Sequence, residues 1–544
     1  MVNSYEPADV YHDLPVLLTA DRPDEPCDDA PDRVDADGLL HIGLASEGGP
    51  IRSTPACPLE GAPPVVFKFT DQTIQDEMGP SVFAVYQARF DALMARPAIA
   101  AVFDDRRRTI TGLPPELAVR LKLRPDANKR SLMQLLRRVS VQERDVIAGF
   151  VDELLAGGVI EHSQSPFGAN VVLVRKKSGE GMAGYRMCVD FRQLNRAIEH
   201  TQEAWPMRRS DDCVARLAGC KYFTSVDFRS GFWQLPIAPE DKHLLAFRTH
   251  SGHFNFSVLP MGLSSASGCF QRVTEFICSG LTDRLDDDGG GIEMAGDDGP
   301  ARPLVNGGRA DDLCIPYIDD VLLATRGTAD DHLDKVERFL LRLGAHTVTL
   351  RYDKCSFAMS SVDFLGFHVG LKGLQAQTRL LEKLTNMAPP ASVSDLKSHE
   401  GLFSYYRQFL HGYSAATECF HLAAQAVSHN KSPFIWSAEC EAARQSLLTQ
   451  LTTYAAGSAL AFPDFGPTAG EFIIATDAAT SGGLGAVLSQ RDAFGCEHVI
   501  AYASRRLSKS ERNYAPTQLE CLGVVFAVRK FRWAIYGRSF VILD

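Results

Sequence analysis

Apolar and polar positions along this chain fall into distinct regimes, and the regimes divide it. Residues 1–64 show no hydrophobic period: the run RPDEPCDDAPDRVDADG strings Asp, Pro and Gly with too few apolar side chains to build a core, so an acidic disordered segment is expected there. Residues 65–115 hold helical pieces such as SVFAVYQARFDALMA, but nothing in them names a function. From residue 116 the pattern is dense. SVQERDVIAGFVDELLAGGVIE keeps helical spacing and stops at a Gly pair. ANVVLVRKKSG then reads as a strand running into a basic turn and GYRMCVDF as the next strand, which puts Lys176, Lys177 and Arg186 on a predicted hairpin.

Two further strands carry acids. The alternation in KYFTSVDFRSGFWQL predicts a strand that delivers Asp227 at its end, followed by a turn and a helix. In CIPYIDDVLLAT two short apolar strands flank Asp319 and Asp320 in a predicted tight hairpin. Near the C-terminus, FIIATD predicts a strand ending at Asp477, and PTQLECLGVVFAVRKF predicts a helix carrying Glu520. No internal repeat is visible.

Length and composition constrain what these elements build. With 544 residues the chain exceeds one core, and roughly 150 residues per domain gives about three to four folded units. No run approaches the roughly 18 apolar residues of a membrane span, and MVNSYEPADVYHD lacks a basic-then-apolar leader, so the expectation is a cytoplasmic or nuclear protein without a membrane partner. The 13 cysteines form no CxxC pair and are read as reduced thiols. The net charge of −11 has the wrong sign for a partner of nucleic acid until it is divided along the chain. Residues 1–62 hold −10 and residues 282–313 hold −6, which leaves the rest of the chain at +5 and compatible with phosphate binding.

The chemistry turns on three carboxylates. Adjacent acids in an apolar turn repel each other unless cations stand between them and a third acid. Asp227 with Asp319 and Asp320 suits a pair of hard divalent ions about 3.5–4 Å apart, Mg²⁺ before Mn²⁺. Taken singly, each signal has a plainer reading: a Tyr-x-Asp-Asp as a surface turn, Asp227 as a strand-end cap, the lysine pair as a solvated turn.

Order and spacing together change the weighing. YRMCVDFRQLN, SVDFRSGFWQLPI, FSVLPMGLSSASGCFQ, YIDDVLLAT and DFLGFHVG stand in the order of the fingers, palm and primer-grip blocks of reverse transcriptases from gypsy-type (Metaviridae-like) LTR retrotransposon Pol polyproteins, which the chain resembles over roughly 116–544. FIIATDAATSGGLGAVLSQ and IAYASRRLSKSERNYAPTQLECLGVV resemble that family's RNase H domain.

The resemblance implies an α/β (α+β) right-hand polymerase. Fingers and palm would span 116–371 with an acidic insertion at 282–313, thumb and connection 372–470 with the helical thumb near 374–415, and an RNase H-like domain 471–544. It implies RNA- and DNA-directed DNA synthesis with an RNA template, a DNA primer–template and dNTPs as partners, in a cytoplasmic virus-like particle or the nucleus. Asp227, Asp319 and Asp320 would be the catalytic acids and metal ligands, with the Phe228 carbonyl as a further ligand. Lys176 and Arg186 would grip the triphosphate, Phe232 would be the steric gate against a 2′-hydroxyl, Met261 would line the nucleotide pocket, and Leu365 with Gly366 would form the primer grip.

The chain also departs from the family. Met261 replaces the usual Phe or Gln, Ala266 and Ser267 stand where Ala-Pro is common, and the Gly- and Asp-rich insertion lengthens the gap before YIDD, an acidic tether expected to weaken template binding. For RNase H, Asp477, Glu520 and Asp544 match three of four carboxylates; with Asp544 the last residue, the domain is expected to be C-terminally incomplete and without useful RNase H activity. No Asp-Ser/Thr-Gly triplet or Cys/His knuckle is present. The alternative left open is an inactive or domesticated remnant that at most binds nucleic acid.

Overall fold

The computed structural model describes residues 80–104, 109–176, 184–199, 205–279, 314–430, 433–455, 457–466, 469–479 and 483–543. The expected acidic segment 1–64, Lys177, the insertion 282–313 and Asp544 lie outside these residues. Among the described residues four sheets are built, and no helix is long and apolar enough to cross a membrane.

Helix α1 (Pro80–Met94) comes first, then α2 (Val141–Ala156), whose Ser140 and Glu143 form a reciprocal cap and whose Ile147, Val151 and Leu154 face the core. Strands β1 (Ile160–His162), β2 (Ala169–Arg175) and β3 (Tyr185–Val189) follow, then the short helix α3 (Arg192–Ala197). Strand β4 (Tyr222–Asp227) starts the central sheet, and β5 (Ala246–Thr249) with β6 (Gly252–Phe256) returns to the first. Those strands make a five-stranded sheet in the order β1-β6-β5-β2-β3, with β2 and β5 parallel.

Helix α4 (Ala266–Cys278), the hairpin β7 (Cys314–Tyr317) and β8 (Asp320–Thr325), helix α5 (Ala329–Ala345) and β9 (Ser356–Met359) complete the central sheet, ordered β7-β8-β4-β9. Val226, Val321 and Leu323 bury in one core with Val273 of α4 and Phe339 of α5, whereas Phe223, Leu322 and Ala324 bury in a second core on the opposite face. Cover on both faces explains why β8 reads VLLAT without polar alternation.

Strands β10 (Ser361–Phe364), β11 (Phe367–Gly370) and β12 (Gly373–Ala376) form a meander beside that second core. Helices α6 (Thr378–Thr385), α7 (Val393–Tyr405), α8 (Glu418–Asn430) and α9 (Ala438–Ala455) come next. The helical region expected near 374–415 thus opens on a strand, since residues 373–376 pair with β11. The last sheet contains β13 (Phe472–Ala479), β14 (Gly483–Arg491), β15 (Glu497–Arg505) and, after α10 (Pro516–Lys530), β16 (Phe540–Leu543). Its order is β15-β14-β13-β16, with β16 parallel to β13.

Two outcomes differ from the sequence reading. The helix expected after Asp227 is a single 3-10 turn, Gly231–Gln234, entered through Ser230 at φ 48°. Buried Gln234 donates from its amide to the Arg229 and Thr349 carbonyls, both at 2.8 Å, so a side chain satisfies this loop where helix propagation would have. Secondly, 65–115 carried no assigned role, yet α1 buries Phe90 and Leu93 and fastens to α5 through Arg89 with Asp330 and Asp334, Tyr86 with Asp330, and Arg96 (just past α1) with Glu337. This segment braces the back of the central sheet, where Leu350 N–H donates to the Val102 carbonyl at 2.8 Å.

Candidate active site

Register brings the acids together. Strands β4 and β8 pair antiparallel with Asp227 directly opposite Asp320, and both share the strand face of Phe223, Leu322 and Ala324, turned away from α4 and α5. Asp319 occupies the turn between β7 and β8. Beside it Ile318 has φ 51°, a region a β-branched residue enters only under constraint, at about 1–3 kcal/mol. The constraint is Gln271 of α4: fully buried, it accepts the Ile318 N–H at 2.6 Å and donates to the Pro316 carbonyl at 3.0 Å and to Glu275 at 2.8 Å.

Burial and mutual repulsion set the electrostatics. Burial first, then the charges of Asp320 and Asp227, push the Asp319 carboxyl up to about 7. Burial and Asp227 push Asp320 up to about 6, against the pull of Lys354, and burial also raises Asp227. Asp319 Oδ1 is sealed from solvent with no hydrogen-bond partner, and Lys354 Nζ lies 3.7 Å from Asp227 Oδ2. Among the described residues no three His, Cys, Asp or Glu side chains close into an ion-gripping set. Like charges repel across this group, and the Lys354 ammonium offsets part of that repulsion at Asp227 and Asp320.

The floor of this site is Gly231. A Cβ there would stand 3.0 Å from Asp319 Oδ1 and 2.9 Å from Phe270 Cζ, so glycine is required for space. Phe270 meets both Phe228 and Phe232 edge-on, at 5.3 and 5.4 Å between centroids. Phe228 bridges Leu350 through the bonds Arg351 N–H to Asp227 O and Arg229 N–H to Thr349 O, a non-hydrogen-bonded pair that directs the Phe228 carbonyl away from that neighbour.

The remaining sequence candidates distribute as follows. Val174 pairs with Arg186, so Lys176, two residues on, shares the exposed Arg186 face of the β2–β3 hairpin. Met261 is 48% exposed, in a loop tied down by Asn195 of α3, which donates to the Gly262 carbonyl at 2.9 Å and accepts the Ser264 N–H at 3.0 Å. Leu365 and Gly366 close the β10–β11 hairpin. Asp477 pairs with Gly485 in β13, and Glu520 lies on α10, which passes β13 at Gly523; both acids are exposed.

Sequence reasoning missed Gly231, Gln271, Lys354 and Asn195. The signal for Gln271 was present: a polar residue on the buried stripe of an amphipathic helix. Nothing in the local pattern flags the other three.

Comparison with known proteins fits this arrangement. Residues 174–369 match the family described as reverse transcriptase (RNA-dependent DNA polymerase), and residues 436–542 match the RNase H-like domain found in reverse transcriptase. The chain is 30% identical over 436 residues to the retrovirus-related Pol polyprotein from transposon opus of Drosophila melanogaster, covering 79% of this chain and 40% of that one. It is 29% identical to the corresponding polyprotein from transposon gypsy of the same fly, covering 72% and 35%. The chain thus spans two fifths or less of those two polyproteins. Among solved structures, a foamy viral protease-reverse transcriptase in complex with double-stranded DNA superposes with a TM-score of 0.67 at 17% identity, covering 90% of this chain and 76% of that one, which gives the right-hand polymerase fold. The chain carries a reverse transcriptase domain and the RNase H-like domain found with it, as do the gypsy-type retrotransposon Pol polyproteins to which it is similar.

Proposed function

We propose that this chain is an RNA- and DNA-directed DNA polymerase that extends a DNA primer with dNTPs in a divalent-metal site formed by Asp227, Asp319 and Asp320. The observation that carries the reading is the meeting of three acids at one end of the central sheet, where Asp319 Oδ1 is buried without a partner. An orphaned carboxylate oxygen beside two further carboxylates is a donor set for a hard cation. Asp227, Asp319, Asp320 and the Phe228 carbonyl would hold Mg²⁺, with Mn²⁺ accepted by the same oxygens. When bound, a pair of such ions lowers the pKa of a primer 3′-hydroxyl and neutralises a leaving pyrophosphate.

The chain's own groups do the rest. Lys176 and Arg186, exposed on one hairpin face, grip the triphosphate oxygens of the incoming dNTP. Phe232, held by Phe270, lies beneath the sugar and leaves no room for a 2′-hydroxyl. Met261 walls the base pocket from the loop that Asn195 anchors, and the Leu365 and Gly366 turn holds the primer end. Asp477 and Glu520 are the candidate acids of the RNase H-like domain, for the RNA strand of a hybrid.

The test is extension of oligo(dT) on poly(rA) with dTTP and Mg²⁺. Incorporation that requires both template and metal is expected. Its absence from the folded full chain would remove the polymerase reading.

A further inference from the structure

We propose that Tyr405 and Tyr406, at the C-terminal end of α7, are positioning residues that hold the Leu365 and Gly366 turn, and with it the primer 3′-end, over the carboxylates; this rests on the polymerase reading above. The turn has positive φ at both central positions, 48° at Leu365 and 74° at Gly366. A two-residue hairpin of that type favours Asn or Gly at its first position, and leucine is a poor occupant. Something outside the turn must hold it.

Two hydroxyls do so. Tyr405 Oη donates to the Leu365 carbonyl, and Tyr406 Oη donates to the Gly366 carbonyl at 2.7 Å while accepting the Gln377 backbone N–H. A Cβ at Gly366 would lie 2.8 Å from Tyr405 Oη, so the ring is seated directly against the turn. Phe367 stacks on Tyr405 at 5.2 Å with planes 15° apart and meets Tyr406 edge-on. Phe364 and Phe367 flank the turn and bury in the same core as Phe223 and Leu322, on the sheet face that carries Asp227 and Asp320.

The consequence is directional. With the Leu365 carbonyl held by Tyr405, the Gly366 N–H, trans across the same peptide, points away from α7 and is presented to a primer phosphate. Without the hydroxyls, Leu365 is free to relax to negative φ and swing that donor away.

Tyr405→Phe, Tyr406→Phe and the double variant keep both rings and remove these bonds. Tyr454→Phe is the control: it removes the hydroxyl that donates to Tyr502 at 3.4 Å and lies beside the same core. In the full chain, kcat for single-nucleotide addition is expected to fall about tenfold for each single variant and about a hundredfold for the double. Kd for primer–template and KM for dTTP should stay within about twofold, since both binding surfaces persist. With 2-aminopurine as the terminal primer base, the wild-type fluorescence change on binding is expected to be lost in the double variant and kept in Tyr454→Phe.

If the double variant keeps wild-type kcat and fluorescence, or loses kcat no more than Tyr454→Phe, the positioning role is refuted while the polymerase reading stands. If the wild-type chain makes no template-dependent product, that reading fails and the inference falls with it.

Discussion

Asp319→Asn is expected to slow primer extension by about a thousandfold, roughly 4 kcal/mol of barrier, and to make the metal-free protein more stable at pH 8. Both effects follow from one atom. Asp319 Oδ1 is buried with no partner, and burial with the neighbouring charges lifts the carboxyl from its ordinary range up to about 7. A folded-state pKa above the unfolded one means that the native protein holds the extra proton between pH 4 and 7. Stability is therefore present in full at the acid end, falls as pH rises through that window, and stays low above it. Asparagine does not ionise and escapes the loss, by something on the order of 2–4 kcal/mol at pH 8 and nothing near pH 4. Melting in EDTA at the two pH values, beside extension rates in Mg²⁺, checks the pair. A variant that is inactive but no more stable at pH 8 would mean that Asp319 is not held under electrostatic strain.

Gly231→Ala is expected to lower extension about a hundredfold with a loss of about 1–3 kcal/mol in stability. The added carbon has no place to go. It would stand 2.9 Å from Phe270 Cζ, whose ring is pinned by Phe228 and Phe232, and 3.0 Å from Asp319 Oδ1. Of the two neighbours the carboxylate is the easier to displace, so strain is relieved by moving Asp319 Oδ1, an oxygen of the proposed metal site. Comparing kcat with the melting temperature separates this from general damage. Wild-type kcat in a folded Gly231→Ala protein would show that Asp319 tolerates displacement.

How much of this was legible in the sequence depends on whether the information was local. Alternation in KYFTSVDF and the apolar run VLLAT give the two strands, because each records which faces are covered. The helical spacing of SVFAVYQARFDALM gives α1, yet its docking on α5 rests on Arg89, Asp330 and Asp334, residues that read as an ordinary solvated face. The register that sets Asp227 against Asp320 joins segments far apart in the chain, and no pattern within either strand specifies it. The turn Gly231–Gln234 failed as a helix prediction because a buried glutamine, bonded to Thr349 in a distant segment, took over its hydrogen bonds. Leu365 is the opposite case: its residue type argues against the conformation it adopts, which two tyrosines forty residues away impose.

The central claim is that Asp227, Asp319 and Asp320 together make one divalent-cation site, and Mn²⁺ binding to the full chain at pH 7, followed by electron paramagnetic resonance with the released protons counted by calorimetry in two buffers, tests it most directly. The wild-type chain is expected to bind Mn²⁺ with net proton release, since carboxyls raised to about 7 and about 6 must give up protons to the ion. Asp227→Asn and Asp319→Asn are each expected to lose that binding. Unchanged affinity and proton release in Asp227→Asn would contradict the account.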